Sequence, residues 1–156
     1  MLQLDIPGHG LLRLQNLVLD YNGTLALDGT MFKTVKDCLN RLSEHLDVHV
    51  LTSDTFGTVV EQCKSMPVQV KVLESADHTA EKASYITQLG SQYVVAVGNG
   101  ANDSKMLEQA SLGIVVLGPE GCSGRSLVAA DVVVSRIEDA LGLLLYPQRL
   151  IATLRR

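Results

Sequence analysis

The sequence predicts an α/β fold: an open parallel sheet with helices on both faces, forming one three-layer domain with a small β extension at its N-terminus. Three observations predict it. Short apolar runs rich in Val, Ile and Leu alternate nearly end to end with stretches of helical length and period, the rhythm of strand-helix-strand crossovers. Most of these runs are apolar at successive positions, as strands covered on both faces require. The 156 residues, 46% hydrophobic and 19% charged, have about the length of one domain and enough apolar surface to bury a core.

The first 16 residues break the rhythm. Leu2-Gln3-Leu4-Asp5-Ile6 alternates apolar and polar, and Pro7-Gly8-His9-Gly10 punctuates before Leu11 to Leu14, which predicts a small hairpin or an extra edge strand. The main sheet then begins. Its strands are expected at residues 17–20, 48–51, 68–73, 93–97, 114–117 and 131–134, and its helices at 34–45, 55–64, 79–89, 102–109, 122–129 and 137–145. No internal repeat or Gly/Ser-rich linker interrupts them, and the gaps between strands hold one helix and its loops. One domain over residues 1–156 without an inserted cap is therefore expected.

Composition excludes several function classes. Lys and Arg number 13 against 17 Asp and Glu, a net charge of −4 without a long basic run, so the electrostatic footprint of a nucleic-acid binder is missing. Small molecules or proteins are the expected partners. Cys38, Cys63 and Cys122 are odd in number and far apart, which argues for reduced thiols over disulfides or zinc. His9, His45, His49 and His78 lack metal-helix pairing. The N-terminus carries no basic region ahead of an apolar stretch, and runs such as 141–146 fall far short of the roughly 20 residues of a membrane helix. A cytoplasmic protein away from membranes is the expectation.

In an open parallel sheet, chemistry gathers at the carboxyl ends of strands. Here these are Asp20-Tyr21-Asn22-Gly23-Thr24, Leu51-Thr52-Ser53-Asp54-Thr55 and Gly98-Asn99-Gly100-Ala101-Asn102-Asp103. Each also has an ordinary reading. Asn22-Gly23 is a hairpin turn signal, Thr52 and Ser53 suit a helix N-cap, and Lys82, near the start of a helix, suits a solvated surface. Gly98-x-Gly100 suggests a dinucleotide loop, but Asp103 would set a negative charge beside the pyrophosphate. Asp103 suits a magnesium ion better.

Together these segments resemble the haloacid dehalogenase-like superfamily of phosphotransferases, whose pattern is a strand-end Asp-x-Asp-Gly-Thr, a strand-end Thr or Ser, a Lys, and a Gly-Asp-Gly-x-Asn-Asp loop. They are most similar to the phosphorylation domain of P-type ATPases. The order is kept over residues 17–134, through Asp20 to Thr24, Thr52 to Asp54, Lys82, and Gly98 to Leu107. The resemblance implies a Rossmann-like fold, Asp20 as the nucleophile that becomes an aspartyl phosphate, and Thr52 and Lys82 holding and neutralising phosphoryl oxygens. It implies further phosphate contacts from Ser53 and the backbone amides of Gly23 and Thr24. Mg2+ would be held by Asp20, the Asn22 carbonyl, Asn99 and Asp103.

Two positions depart from the pattern. Asn22 stands where phosphatases of the superfamily place the acid/base Asp, a role typically worth about 10²- to 10⁴-fold. Slow turnover, or a preference for good leaving groups such as acyl phosphates, is expected. Asn99 stands where the leading metal-ligand Asp belongs and brings no charge, so metal affinity should fall. The short spans from Asp20 to Thr52 and from Thr52 to Lys82 leave no room for a cap or for an ATPase nucleotide domain. The site is then open, closed by a large phosphorylated substrate or by a second copy in a homo-oligomer. Two other functions fit less of the sequence: a phosphate-binding regulatory module without turnover, suggested by Asn22 and Asn99, and a receiver-like signalling domain. Receivers, however, group acidic residues at the first strand and place the acceptor on a later one.

Overall fold

The computed structural model describes residues 1–54 and 57–156. The N-terminal extension is an antiparallel hairpin of β1 (Leu2–Ile6) and β2 (Gly10–Leu14), separate from the main sheet. It forms a half-buried ribbon, with Leu4, Ile6, Leu12 and Leu14 inside and the residues between them exposed.

The rest of the chain runs through β3 (Asn16–Asp20), a hairpin of β4 (Ala26–Leu27) and β5 (Thr30–Met31), α1 (Lys33–Leu42), β6 (Asp47–Thr52) and α2 (Thr58–Cys63). There follow β7 (Gln69–Val72), α3 (His78–Leu89), β8 (Val94–Gly98), α4 (Ser104–Gln109) and β9 (Leu112–Val116). It closes with α5 (Gly124–Ala129), β10 (Val132–Val134), α6 (Ile137–Leu145) and α7 (Pro147–Leu154). Six strands pair in parallel in the order β10-β9-β8-β3-β6-β7. This is the α/β sheet the sequence predicts.

Two core clusters are the two faces of that sheet, because successive side chains of a strand leave on opposite sides. Leu17, Leu19, Val95 and Val97 pack with Val35 and Leu39 of α1 and Leu141 and Leu144 of α6. Val18, Val94, Ala96 and Val115 pack with Ile86 of α3 and Met106 and Leu107 of α4. Each of these side chains other than Ala96 contributes about 1.5–3 kcal/mol of burial. β3 is buried at all five positions, so its carboxyl end is fixed from both sides. Polar satisfaction holds here too. His49 Nε2 lies 3.2 Å from Asn16 Oδ1 and its Nδ1 lies 3.0 Å from Tyr85 Oη. The amide oxygen can only accept, so the proton sits on Nε2 and Nδ1 accepts from the tyrosine.

Differences from the sequence reading are local. Of the helix expected over 55–64, Thr55 lies outside the described residues, and the helix observed is Thr58–Cys63, preceded by Gly57 in the left-handed region. The helix expected from 102 opens as a 3-10 turn, Ala101–Asp103. The helix expected from 122 begins at Gly124, because the Ser123 side chain accepts from Arg125 N and caps it. The β4-β5 hairpin and α7 were not foreseen. Strands of two residues carry no readable alternation, and Pro147 reads as a stop although it suits a first helical position. Among the described residues no helix is long and apolar enough to cross a membrane.

β3 lies between β6 and β8, whose connections lead away to opposite halves of the sheet. The crevice this creates opens beyond the end of β3, at Asp20.

Candidate active site

Asp20 ends β3 and meets a lysine delivered from a helix distant in sequence. Asp77 caps α3 by accepting from Ala80 N at 3.0 Å, and the helix then buries Lys82 to 1% exposure. Its Nζ donates to Asp20 Oδ1 at 2.6 Å and to Asp103 Oδ1 at 2.6 Å. Two carboxylates offset the burial of one ammonium. Burial, followed by the charge of Asp103, pushes the Asp20 carboxyl up to about 7 against the opposing pull of Lys82. Burial by itself would lower Lys82, but Asp20 and Asp103 outweigh it and its pKa is raised.

The turn after β3 is tight. The Tyr21 carbonyl accepts from the amides of Thr24, Leu25 and Ala26, and Gly23 takes a left-handed φ of 78°. Gly23 N donates to Ala26 O at 3.0 Å and Thr24 N to Tyr21 O at 3.3 Å. These two amides, expected to face a phosphate, close the turn instead. What Thr24 brings to the site is its hydroxyl, 3.3 Å from Asp20 Oδ2 and 3.1 Å from Asn99 Oδ1. A hydroxyl has one proton, so it can donate to only one of these oxygens at a time.

Asp103 stands behind the site. It is fully buried, and its Oδ2 accepts from Asn99 N at 2.9 Å and Gly100 N at 2.8 Å while Oδ1 holds Lys82. The direct metal contact expected of it is not what this geometry offers, because both oxygens are turned inward and engaged. Gly98 makes this possible: a Cβ there would lie 2.5 Å from Asp103 Cγ. Gly98→Ala is accordingly expected to displace the Asp103 carboxylate and to cost about 1–3 kcal/mol of stability from overpacking. Urea denaturation checks it, with an unchanged midpoint counting against the close approach.

A cavity of about 180 Å³ opens in front of these groups. Of the expected site residues, Asp20, Asn22, Ser53, Lys82 and Asn99 line it. Thr52 is buried beside it, its hydroxyl oxygen accepting Asp54 N at 3.1 Å. Gly100, Asn102, Leu73 and Glu120 complete the wall, and the sequence reading did not single them out as site residues. Gly100 and Asn102 lie inside a loop already suspect, and Glu120 lies in Gly118-Pro119-Glu120-Gly121, which reads as a turn that could rim the same pocket.

The donors suit a hard cation. Asp20 Oδ2 and Asn99 Oδ1 both reach one hydroxyl, and the wall offers oxygens without sulfur or imidazole, the preference of Mg2+. Among the described residues no group of three or more His, Cys, Asp or Glu is placed to hold a metal, so amide and carbonyl oxygens must supply part of the set.

No family model matches the sequence. Over 62 residues, 40% of this chain and 67% of the relative, it is 48% identical to an uncharacterized protein of Methanocaldococcus jannaschii. Over 119 residues, 74% of this chain, it is 26% identical to a soluble P-type ATPase-like phosphatase of the same organism, of which it spans only 44%. The fold is similar to a structure from Legionella pneumophila described as a HAD (haloacid dehalogenase) superfamily hydrolase of subfamily III A, with a TM-score of 0.72, 16% identity, and 90% and 86% of the two chains covered. It is also similar to 3-deoxy-D-manno-octulosonate 8-phosphate phosphatase from Moraxella catarrhalis in complex with magnesium, phosphate and sugar, with a TM-score of 0.65, 18% identity, and 91% and 94% covered. The fold is thus the one these haloacid dehalogenase superfamily structures share, and a soluble P-type ATPase-like phosphatase is among the sequence relatives of the chain.

Proposed function

We propose that the chain is a magnesium-dependent phosphatase or phosphotransferase that works through an aspartyl phosphate on Asp20. The observation that carries this reading is a carboxylate at the end of the central strand, pinned 2.6 Å from a buried ammonium and facing a small polar cavity. An Asp20 oxygen attacks phosphorus, the bond to the leaving oxygen breaks, and that oxygen departs with its electron pair. Lys82 offsets the negative charge shared by Asp20 and the transferring group, while Asp103 positions the ammonium. Thr52 and Ser53 donate hydroxyl protons to phosphoryl oxygens. Water or an acceptor then takes the phosphoryl group and returns Asp20 to a carboxylate.

Asp20, the Asn22 carbonyl and Asn99 would hold Mg2+. The ion would supply positive charge that favours the ionised carboxylate and screens the phosphoryl oxygens. The substrate is a phosphorylated small molecule or protein in the cytoplasm, and the open cavity suits a bulky substrate or closure by a second copy. The test is to incubate the chain with acetyl phosphate and magnesium and look for an acid-stable, hydroxylamine-sensitive mass increase at Asp20. Its absence from the wild type argues against the reading.

Asn22 lines the cavity in the place of an acid and cannot give up a proton. Asn22→Asp is therefore expected to speed hydrolysis of poor-leaving-group esters by about 10²-fold, the low end of what a placed acid supplies, and to change acyl phosphate hydrolysis less. Paired rate measurements on an alkyl and an acyl phosphate check this. The same asparagine favours one alternative, a regulatory module that binds phosphate without turnover. Calorimetric phosphate binding with no covalent product would support that alternative.

A further inference from the structure

The cavity holds too little positive charge for its carboxylates. Lys82 is its one cation among the described lining residues, and it is already shared between Asp20 and Asp103. Glu120 adds a third carboxylate, in the cavity wall. Its placement is specific. Glu120 Oε2 and Asn99 Nδ2 each lie 2.6 Å, and Asn99 Oδ1 3.1 Å, from the point above Gly23 where a Cβ would sit, so the side-chain ends of residues from two loops meet over one spot that only glycine leaves open.

Asn99 builds this arrangement. Its Nδ2 donates to Gly121 O at 3.0 Å, and its own carbonyl accepts from Ser123 N at 2.8 Å. These two bonds tie the residues just after 120 to Asn99 and hold that loop against the site. An aspartate at 99 has no N–H to give Gly121 and would set a second negative charge beside Glu120. The amide at 99 and the carboxylate at 120 thus form one design, with the charge moved from the β8 loop to the β9 loop.

We propose that Glu120 is the second anionic ligand for the divalent cation of this cavity, replacing the charge absent at Asn99. This rests on the functional reading above. With Asp20, Asp103 and Glu120 set against Lys82 and a divalent ion, the site comes to formal neutrality. The cavity then takes Mg2+ or Mn2+ more tightly than its asparagines alone would allow.

The experiment is isothermal titration of the full chain with Mg2+ and, by electron paramagnetic resonance, with Mn2+, for wild type, Glu120→Gln and Glu108→Gln. Glu120 and Glu108 are both exposed, so both variants should fold, and Glu108 on α4 controls for loss of one charge. Glu120→Gln is expected to weaken both ions by about tenfold or more, and Glu108→Gln to leave them unchanged. Adding Asn99→Asp to Glu120→Gln is expected to restore part of the loss. Equal affinity in wild type and Glu120→Gln overturns the proposal, even if turnover falls, because the carboxylate would then act on water or a proton. A wild-type chain that takes up neither ion overturns this assignment together with the reading it rests on.

Discussion

Asp20→Asn is expected to erase turnover and phosphoenzyme formation while leaving the metal-free chain at least as stable as the wild type. An amide oxygen in the same place cannot attack phosphorus, and loss of a nucleophile that acts with its neighbours as a unit costs about 10⁴-fold or more. Stability should move the other way. Two buried carboxylates share one ammonium, and burial together with Asp103 lifts Asp20 to about 7 from its ordinary 3.8. A raised carboxyl pKa means the folded state binds this proton more tightly than the unfolded state. Its stabilising contribution is complete below about pH 4 and is lost as pH climbs through about 7. Asparagine removes that slope. Urea midpoints in chelator from pH 4 to 8 should therefore fall for the wild type relative to Asp20→Asn. If the wild type instead gains on the variant as pH rises, attraction to Lys82 outweighs burial and the account of the triad is wrong.

That triad also marks where sequence reasoning reached its limit. The central strands were legible because Leu17 to Leu19 and Val94 to Val97 are apolar at every position, a pattern that only a strand covered on both faces sustains here. Asp20 was legible because chemistry gathers at the strand ends of a parallel sheet, whereas Lys82, on a helix, joined it through the resemblance of the motif order to the superfamily pattern. The inward turn of Asp103 was not. It depends on a close approach to Gly98 and on two amides of its own loop, a three-dimensional fact with no spacing rule behind it. The engaged amides of Gly23 and Thr24 are similar, since Asn-Gly announces a turn without saying which N–H groups close it. Glu120 was legible only as part of a turn that could rim the pocket, because Gly-Pro-Glu-Gly has the composition of any surface loop. Its proximity to Gly23 is set by the β8-β9 pairing and the Asn99 anchor.

Lys82→Met should have the largest effect on folding. Methionine fills similar space but leaves Asp20 and Asp103 buried together without a cation. Breaking a buried ion pair from one side costs about 3–5 kcal/mol, a large share of the roughly 5–15 kcal/mol that holds a domain together. The loss should have a chemical signature that a packing defect lacks. Protonating the carboxylates relieves it, so the Lys82→Met chain should recover stability as pH falls from 7 toward 4, and removing one of them should do the same at neutral pH. Asp103→Asn keeps an oxygen to accept from Asn99 and Gly100 while deleting the charge. In a double-mutant cycle read by urea denaturation, Lys82→Met with Asp103→Asn is expected to be more stable than Lys82→Met alone, with a coupling of about 1 kcal/mol or more. Additive losses and a pH-independent deficit would mean that Lys82 is held by its hydrocarbon stem and the three charges do not act together. An ammonium so placed could not be the group that neutralises a transferring phosphoryl, and the proposed chemistry would lose its cation.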